Sequence, residues 1–377
     1  MSDKKRIVLA GGGTGGHVFP LIAVAEELKK QYNNEVEFLY IGTKAQMGDV
    51  AEESMKEMDI ITKNVTTGKM RRYFSMQYFL DLFRIPFGVV QSLWYLLIFM
   101  PDGVFSKGGY ASVPVVVAAW IYRIPVLTHD SDAVPGWANR ICGKLSRFVA
   151  VSYQTSKEYF IDNKTVVTGN PIRLDMMNGD IHRGREKWGF TESKKVILVM
   201  GGSQGAQVIN EAVVKVLADL TRTSQVLHIT GENNFEDSKS MAAEFGFKSG
   251  RHKYVAVPFL NREEMADAYA VADIVVSRSG ANSITEIAAN KKVAIFIPIA
   301  RSANNHQYMN AYEISKVGGA MVLEESNLGN NMLVENINEL LSDEKLRVQL
   351  IENIQSFYHP DATMNIAAGI EKMIEEN

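Results

Sequence analysis

An apolar run, a glycine loop and a helical pattern occur in that order twice in this 377-residue chain, about half a chain apart. The first copy is IVLA at residues 7–10, GGGTGG at 11–16 and LIAVAEEL at 21–28. The second is VILVM at 196–200, GGSQG at 201–205 and a run of helical period over 208–217. An uninterrupted apolar run this short, ended by glycine, reads as a strand buried on both faces. Strand, glycine turn and helix together open a doubly wound parallel sheet. Two such openings half a chain apart predict two domains.

Further short apolar runs alternate with helical patterns, as an α/β chain with parallel sheets requires. In the first half they lie at 38–41, 104–106, 126–128 and 148–151; in the second, at 226–229, 254–257, 274–277, 294–297 and 320–323. Gly169-Asn170-Pro171 interrupts the pattern, so the join is expected within residues 162–173. A last helix follows His359-Pro360.

Charge and cysteine content remove several function classes. Forty Lys and Arg against 43 Asp and Glu leave a net charge of -3, with no basic excess for nucleic acid. Hydrophobic residues at 46% and charged residues at 22% exclude disorder and coiled coil. Cys142 is the single cysteine, so neither an internal disulfide nor a cysteine-based zinc site can form, and a reducing compartment fits. Residues 7–10 are too few for a secretory apolar region and are expected to form a buried first strand. The longest uncharged apolar stretch, 85–100, contains Pro86, Gln91 and Ser92 and falls short of the ~18–20 residues of a spanning helix. A soluble or peripheral protein is expected.

Residues 11–16 match G-x-G-x-x-G, but an NAD site also needs an acid after the second strand. Here that strand ends in Gly42-Thr43, which disfavours an NAD-dependent oxidoreductase. The loop can hold a phosphate at a helix N-terminus, or be only a tight turn. His17 follows at the helix start, where the helix dipole favours a neutral ring; it is a candidate general base or a polar helix-start residue. Ser203, in the second glycine loop, is a candidate phosphate contact. Ser283 and Glu286 have capping-box spacing; the alternative places an anion at this helix start and Glu286 on a sugar diol. Asp130-Ser131-Asp132 has the D-x-D form that holds a metal in many sugar transferases, but those have one nucleotide domain, so no metal is expected. His129 falls at the sheet's carboxyl edge, where ligands gather. There is no Walker A loop or H-E-x-x-H.

Seven segments together resemble the bacterial peptidoglycan glycosyltransferases that add N-acetylglucosamine to a lipid-linked muramoyl peptide. They are GGTGGHVFP at 12–20, KGGYASVP at 107–114, AVPG at 133–136, NPIR at 170–173, GGSQGA at 201–206, RSGANSITE at 278–286, and NHQ at 305–307 before Asn310-Ala311. They stand in family order and span nearly the whole chain.

The resemblance implies a GT-B fold of two Rossmann-like doubly wound parallel-sheet domains facing a cleft. Residues 1–165 would take the acceptor and the membrane, and residues 166–359 UDP-N-acetylglucosamine. A C-terminal helix at about 360–377 would return to the first domain. It implies an inverting transfer to undecaprenyl-pyrophosphoryl-N-acetylmuramoyl-pentapeptide, giving a β-1,4 link, with no cofactor. Carried over by position, Thr14, Gly15 and Gly16 line the donor and acceptor phosphates, and Arg173 and Ser203 lie near the donor pyrophosphate. Leu260 meets uracil through its backbone. Ala281, Asn282, Ser283, Ile284, Thr285 and Glu286 form the nucleotide-sugar loop, with Glu286 on the ribose. Gln307 meets the donor sugar, and His17 is the base. One departure stands out: the usual pattern before AVPG is His-Glu-x-Asn, and this chain has His129-Asp130-Ser131-Asp132. At Asp132 a carboxylate that only accepts hydrogen bonds replaces an amide that can also donate. Lys69, Arg71 and Arg72 before the apolar stretch suit an anionic membrane surface, on the cytoplasmic face of the cell membrane; a buried helix beside a solvated turn is the other reading. A nucleotide-sugar epimerase or hydrolase, a transferase with a different lipid acceptor, and a non-catalytic nucleotide-binding subunit remain the alternatives.

Overall fold

The computed structural model describes residues 4–12, 15–43, 49–68, 76–202, 205–247, 253–300 and 305–377. The chain divides into two compact units, Met1–Arg173 with His359–Asn377, and Leu174–Tyr358.

The first unit is built on seven strands: β1 Lys5–Gly11, β2 Val36–Gly42, β3 Ile61–Asn64, β4 Gly103–Gly108, β5 Val126–Asp130, β6 Phe148–Val151 and β7 Thr165–Val167. All pair in parallel, in the order β3-β2-β1-β4-β5-β6-β7. The β1 side chains explain the apolar run. Ile7 and Leu9 enter one core, with the helices Gly15–Gln31 and Ala362–Glu375, while Val8 and Ala10 enter the other, with the helix Ser112–Ile121. With both faces covered, no polar alternation is left to see.

The second unit repeats the plan with β8 Lys195–Met200, β9 Ser224–Ile229, β10 Tyr254–Val257, β11 Ile274–Ser277, β12 Val293–Phe296 and β13 Met321–Val322, in the order β10-β9-β8-β11-β12-β13. Each sheet therefore reverses its direction of growth once, between β1 and β4 and between β8 and β11. Ligands of such sheets gather beyond the strand carboxyl ends at that switch point. Four quoted segments emerge there: GGTGG after β1, KGGY after β4, GGSQG after β8 and RSGA after β11.

Three features of the fold go beyond what the sequence pattern showed. β3 and β7 were not anticipated from the apolar pattern, because both are short edge strands with exposed positions, Ile61 and Val166 among them. The division between units falls after Arg173, at the far end of the stretch 162–173 expected for the join, because β7 pairs with β6 and the NPIR segment remains with the first sheet. Arg173 therefore belongs to the first unit. The stretch 85–100 lies mostly in a longer helix, Met76–Phe99, which buries Ser92 and Leu96 but exposes Phe87, Val90, Trp94, Leu97 and Ile98. Among the described residues no helix is long and apolar enough to cross a membrane.

Candidate active site

In the first unit the imidazole of His17 lies between two glycines. A Cβ on Gly12 would stand 2.9 Å from His17 Cδ2, and one on Gly109 would stand 3.3 Å from both Cε1 and Nε2. Gly109 has φ +80°, which an L side chain rarely adopts. The loop after β4 therefore reaches the residue after the β1 loop, and only glycine permits the approach. Gly15 is buried, Gly16 is exposed and His17 is half-buried at the start of the helix Gly15–Gln31. Thr14 lies outside the described residues.

Behind this loop runs a buried polar network that the motifs do not announce. Asn139, on the helix Trp137–Leu145, accepts from the Gly109 N–H at 2.7 Å and donates to Asp130 Oδ2. Asp130 Oδ1 accepts from the Asp132 N–H at 2.9 Å. Both carboxylate oxygens of the D-x-D residue nearer the sheet are thus used within the protein. Burial, and then the Asp132 charge, raise the Asp130 carboxyl to about 6. Lys107, at the end of β4, is fully buried, and its Nζ stands 2.8 Å from His129 Nδ1 and 3.3 Å from Asn170 Oδ1. An ammonium can only donate, so Nδ1 accepts and Nε2–H donates to the Gly169 carbonyl at 3.0 Å. Burial, and then Lys107, push the His129 imidazolium well below its ordinary range, so this ring is neutral. Lys107 itself is lowered to about 8 by burial, against the opposing pull of Asp130 and Asp132. The network ties the ends of β4 and β5 to the NPIR segment. At its end Arg173 is buried, with its guanidinium carbon 4.6 Å from the ring centroid of Phe19.

In the second unit the loop after β8 turns on Gly202 at φ +83° and Gly205 at φ +74°. A Cβ on Gly205 would meet the Thr230 carbonyl at 2.1 Å, so the loop lies directly against the end of β9. Asn210 donates to that same carbonyl at 2.9 Å and is bonded in turn to His228 at 3.0 Å. Ser203 lies outside the described residues.

The capping-box alternative at Ser283 and Glu286 fails. The helix spans Ala281–Ala289 with Gly280 at its N-cap, so Ser283 is the third helical residue and no side chain caps the end. Glu286 Oε2 instead accepts from the Tyr269 hydroxyl at 2.9 Å. Thr285 donates to the Ala281 carbonyl, and Ile284 and Ala281 are buried, while Asn282 and Ser283 are half-buried. Gln307 joins this region. Its carbonyl accepts from Ser279 Oγ at 2.8 Å, and its side-chain oxygen accepts from the Ile299 N–H at 3.2 Å. The Leu260 side chain is buried in the core after β10. Arg278, which no function had been assigned, is buried and bonded to the Ile297 carbonyl at 3.0 Å and to Glu325 at 2.6 Å. It braces the segment after β12 that precedes Gln307. Among the described residues no group of three or more His, Cys, Asp or Glu side chains is placed to hold a metal ion.

The two units and their switch-point loops define a class, and comparison with known proteins gives the same one. The glycosyltransferase family 28 N-terminal domain matches residues 7–151, and the family 28 C-terminal domain matches residues 196–364. The chain belongs to glycosyltransferase family 28. It is 36% identical to the UDP-N-acetylglucosamine–N-acetylmuramyl-(pentapeptide) pyrophosphoryl-undecaprenol N-acetylglucosamine transferase of Clostridium perfringens (strain SM101 / Type A), over 98% of each chain. Among solved structures it resembles Acinetobacter baumannii MurG, with a TM-score of 0.72 and 24% identity over 98% of this chain and 99% of that one. It also resembles the Neisseria meningitidis UDP-GlcNAc 2-epimerase bound to UDP-GlcNAc, with a TM-score of 0.67 and 16% identity over 99% and 100%. The two structural likenesses establish the fold alone.

Proposed function

We propose that this chain transfers N-acetylglucosamine from UDP-N-acetylglucosamine to undecaprenyl-pyrophosphoryl-N-acetylmuramoyl-pentapeptide, with inversion, in peptidoglycan synthesis. The observation that carries the reading is full-length similarity to relatives of that name, at 36% identity over 98% of the chain. The donor is held mainly by the second unit: Glu286 on the ribose, the Leu260 backbone on uracil, and Gln307 on the sugar. Ala281 through Thr285 supply the helix start, where the helix dipole favours an anion. Ser203, Thr14, Gly15, Gly16 and Arg173 serve the phosphates, and Asp132 contributes from the acceptor side.

Chemistry needs one proton acceptor. The acceptor hydroxyl oxygen attacks the anomeric carbon, His17 takes its proton, and the bond to UDP breaks with the electron pair leaving on the diphosphate. The glycine-lined seat of the His17 ring supports this role, because it fixes the base without enclosing it.

The acceptor is a lipid, and the surface of the first unit suits a membrane. Phe87, Val90, Trp94, Leu97 and Ile98 on one helix, with Trp120 and Ile121 on the helix that packs against it, present exposed apolar side chains. Such a patch on an enzyme of a lipid substrate fits peripheral attachment to an anionic bilayer, on the cytoplasmic face where nucleotide sugars are made. Lys69, Arg71 and Arg72 lie outside the described residues.

The test is turnover of UDP-N-acetylglucosamine with and without a polyprenyl-pyrophosphoryl muramoyl-pentapeptide acceptor. Acceptor-dependent release of UDP with a disaccharide product is the expected result. Donor consumption at equal rate without acceptor would overturn it in favour of an epimerase or hydrolase.

A further inference from the structure

We propose that Tyr269 is a positioning residue for nucleotide recognition: its hydroxyl holds one carboxylate oxygen of Glu286 so that the glutamate meets the ligand's ribose diol in a single arrangement. The inference rests on the reading of Glu286 as the ribose contact.

Tyr269 sits on the helix Arg262–Val271 with its side chain wholly buried in the core that includes Leu198, Met200 and Ile284. Packing alone would be served by phenylalanine. Among the described residues the hydroxyl bonds to Glu286 Oε2 at 2.9 Å and Met200 Sδ at 3.7 Å. A thioether is a weak acceptor, so the O–H donates to the carboxylate. Burial, and next the charge of Glu286, hold the phenol well above its ordinary range, so it remains a donor.

This bond joins three elements around the second switch point: the end of β8 through Met200, the helix carrying Tyr269, and the helix Ala281–Ala289 that opens after β11. Glu286 is half-buried, one turn into that last helix. Its side chain has three rotatable bonds, and ordering them at the moment of binding costs affinity. A carboxylate anchored at one oxygen by a rigid, buried ring is ordered beforehand.

The test is calorimetric binding of UDP and of 2′,3′-dideoxyuridine diphosphate to the full chain, in the wild type, Tyr269→Phe, Glu286→Ala and the double variant. Tyr269→Phe is expected to weaken UDP roughly 3- to 10-fold, the equivalent of one hydrogen bond. It should leave the dideoxy analogue unchanged, and it should add nothing once Glu286 is alanine. The analogue is thus the internal control for folding. Equal weakening of both ligands, or no weakening of UDP, would overturn the proposal. If Glu286→Ala leaves the preference for UDP over the analogue intact, the ribose reading of Glu286 is itself wrong. If Glu286→Ala abolishes that preference and Tyr269→Phe does not touch it, only the positioning role fails.

Discussion

Lys107 Nζ stands 2.8 Å from His129 Nδ1 in the interior of the first unit, a buried ammonium donating to a neutral imidazole. The pair sits at the carboxyl ends of adjacent strands, with Asp130 one residue further along β5. Two buried ionisable groups of opposite sign so close to the site make the unit's stability depend on pH in a defined direction. The Asp130 carboxyl is raised to about 6, so between about pH 4 and 6 the native chain binds a proton that the unfolded chain has released. Stability contributed by this group therefore falls as pH rises through that window. Lys107, lowered to about 8, acts at the other end: the unfolded chain keeps its proton longer, and stability rises from about pH 8 toward 10. Urea unfolding of wild type and Asp130→Asn from about pH 4.5 to 7 should show the wild type losing stability relative to the variant as pH rises. A difference that stays flat across that range would contradict the raised carboxyl.

His17→Ala is expected to lower kcat by about 10²–10⁴-fold, the usual cost of a lost general base. UDP affinity should stay nearly intact, because the donor is assigned mainly to the second unit. Near-normal kcat would make His17 structural. Parallel loss of UDP affinity and activity would make it part of the binding site. Asp130 is a poor substitute base, being buried and already bonded at both oxygens.

Gly109→Ala tests the seat rather than the base. The substitution forces a side chain into a positive-φ position, a cost of about 1–2 kcal/mol, and places a methyl 3.3 Å from His17 Nε2. Kinetics should show kcat falling at least several-fold, with UDP binding by calorimetry unchanged. A fully active variant would show that the approach of the β4 loop to His17 has no bearing on turnover.

Trp94→Glu removes apolar area from the exposed helical face and adds a charge. Co-sedimentation with phosphatidylglycerol vesicles should weaken by at least about tenfold, while turnover of a short-chain, water-soluble acceptor is retained. Unaltered vesicle binding would place membrane attachment elsewhere.

Activity is expected to survive a divalent-metal chelator. Both oxygens of Asp130 are occupied by Asn139 and the Asp132 N–H, which leaves the D-x-D segment ill-suited to grip an ion. Loss of turnover in chelator, restored by adding a divalent cation, would reverse this assignment.

The doubled strand–glycine–helix unit made the α/β class, the two sheets and the glycine loops legible from residue order, because buried parallel strands must be uniformly apolar and strand-to-helix turns need glycine. Family likeness, not residue order, named the nucleotide-loop residues. β3 and β7 escaped because they are short and largely solvated, whereas β10 and β13, also at sheet edges, lie in apolar runs that the sequence shows. The join was legible only as a range, 162–173, and β7 is what keeps the NPIR segment with the first sheet. Spacing alone could not decide between a helix cap and a ligand contact at Glu286. The helix start at Gly280 rules out the cap, and the hydroxyl of Tyr269, 17 positions earlier, takes the carboxylate instead. Lys107, His129 and Asn170 likewise bond to one another, and Asn139 to Gly109, only because parallel strands and their following loops end side by side. Local propensities act over a few neighbours along the chain, whereas a hydrogen bond between residues far apart in sequence exists only once packing has set their distance.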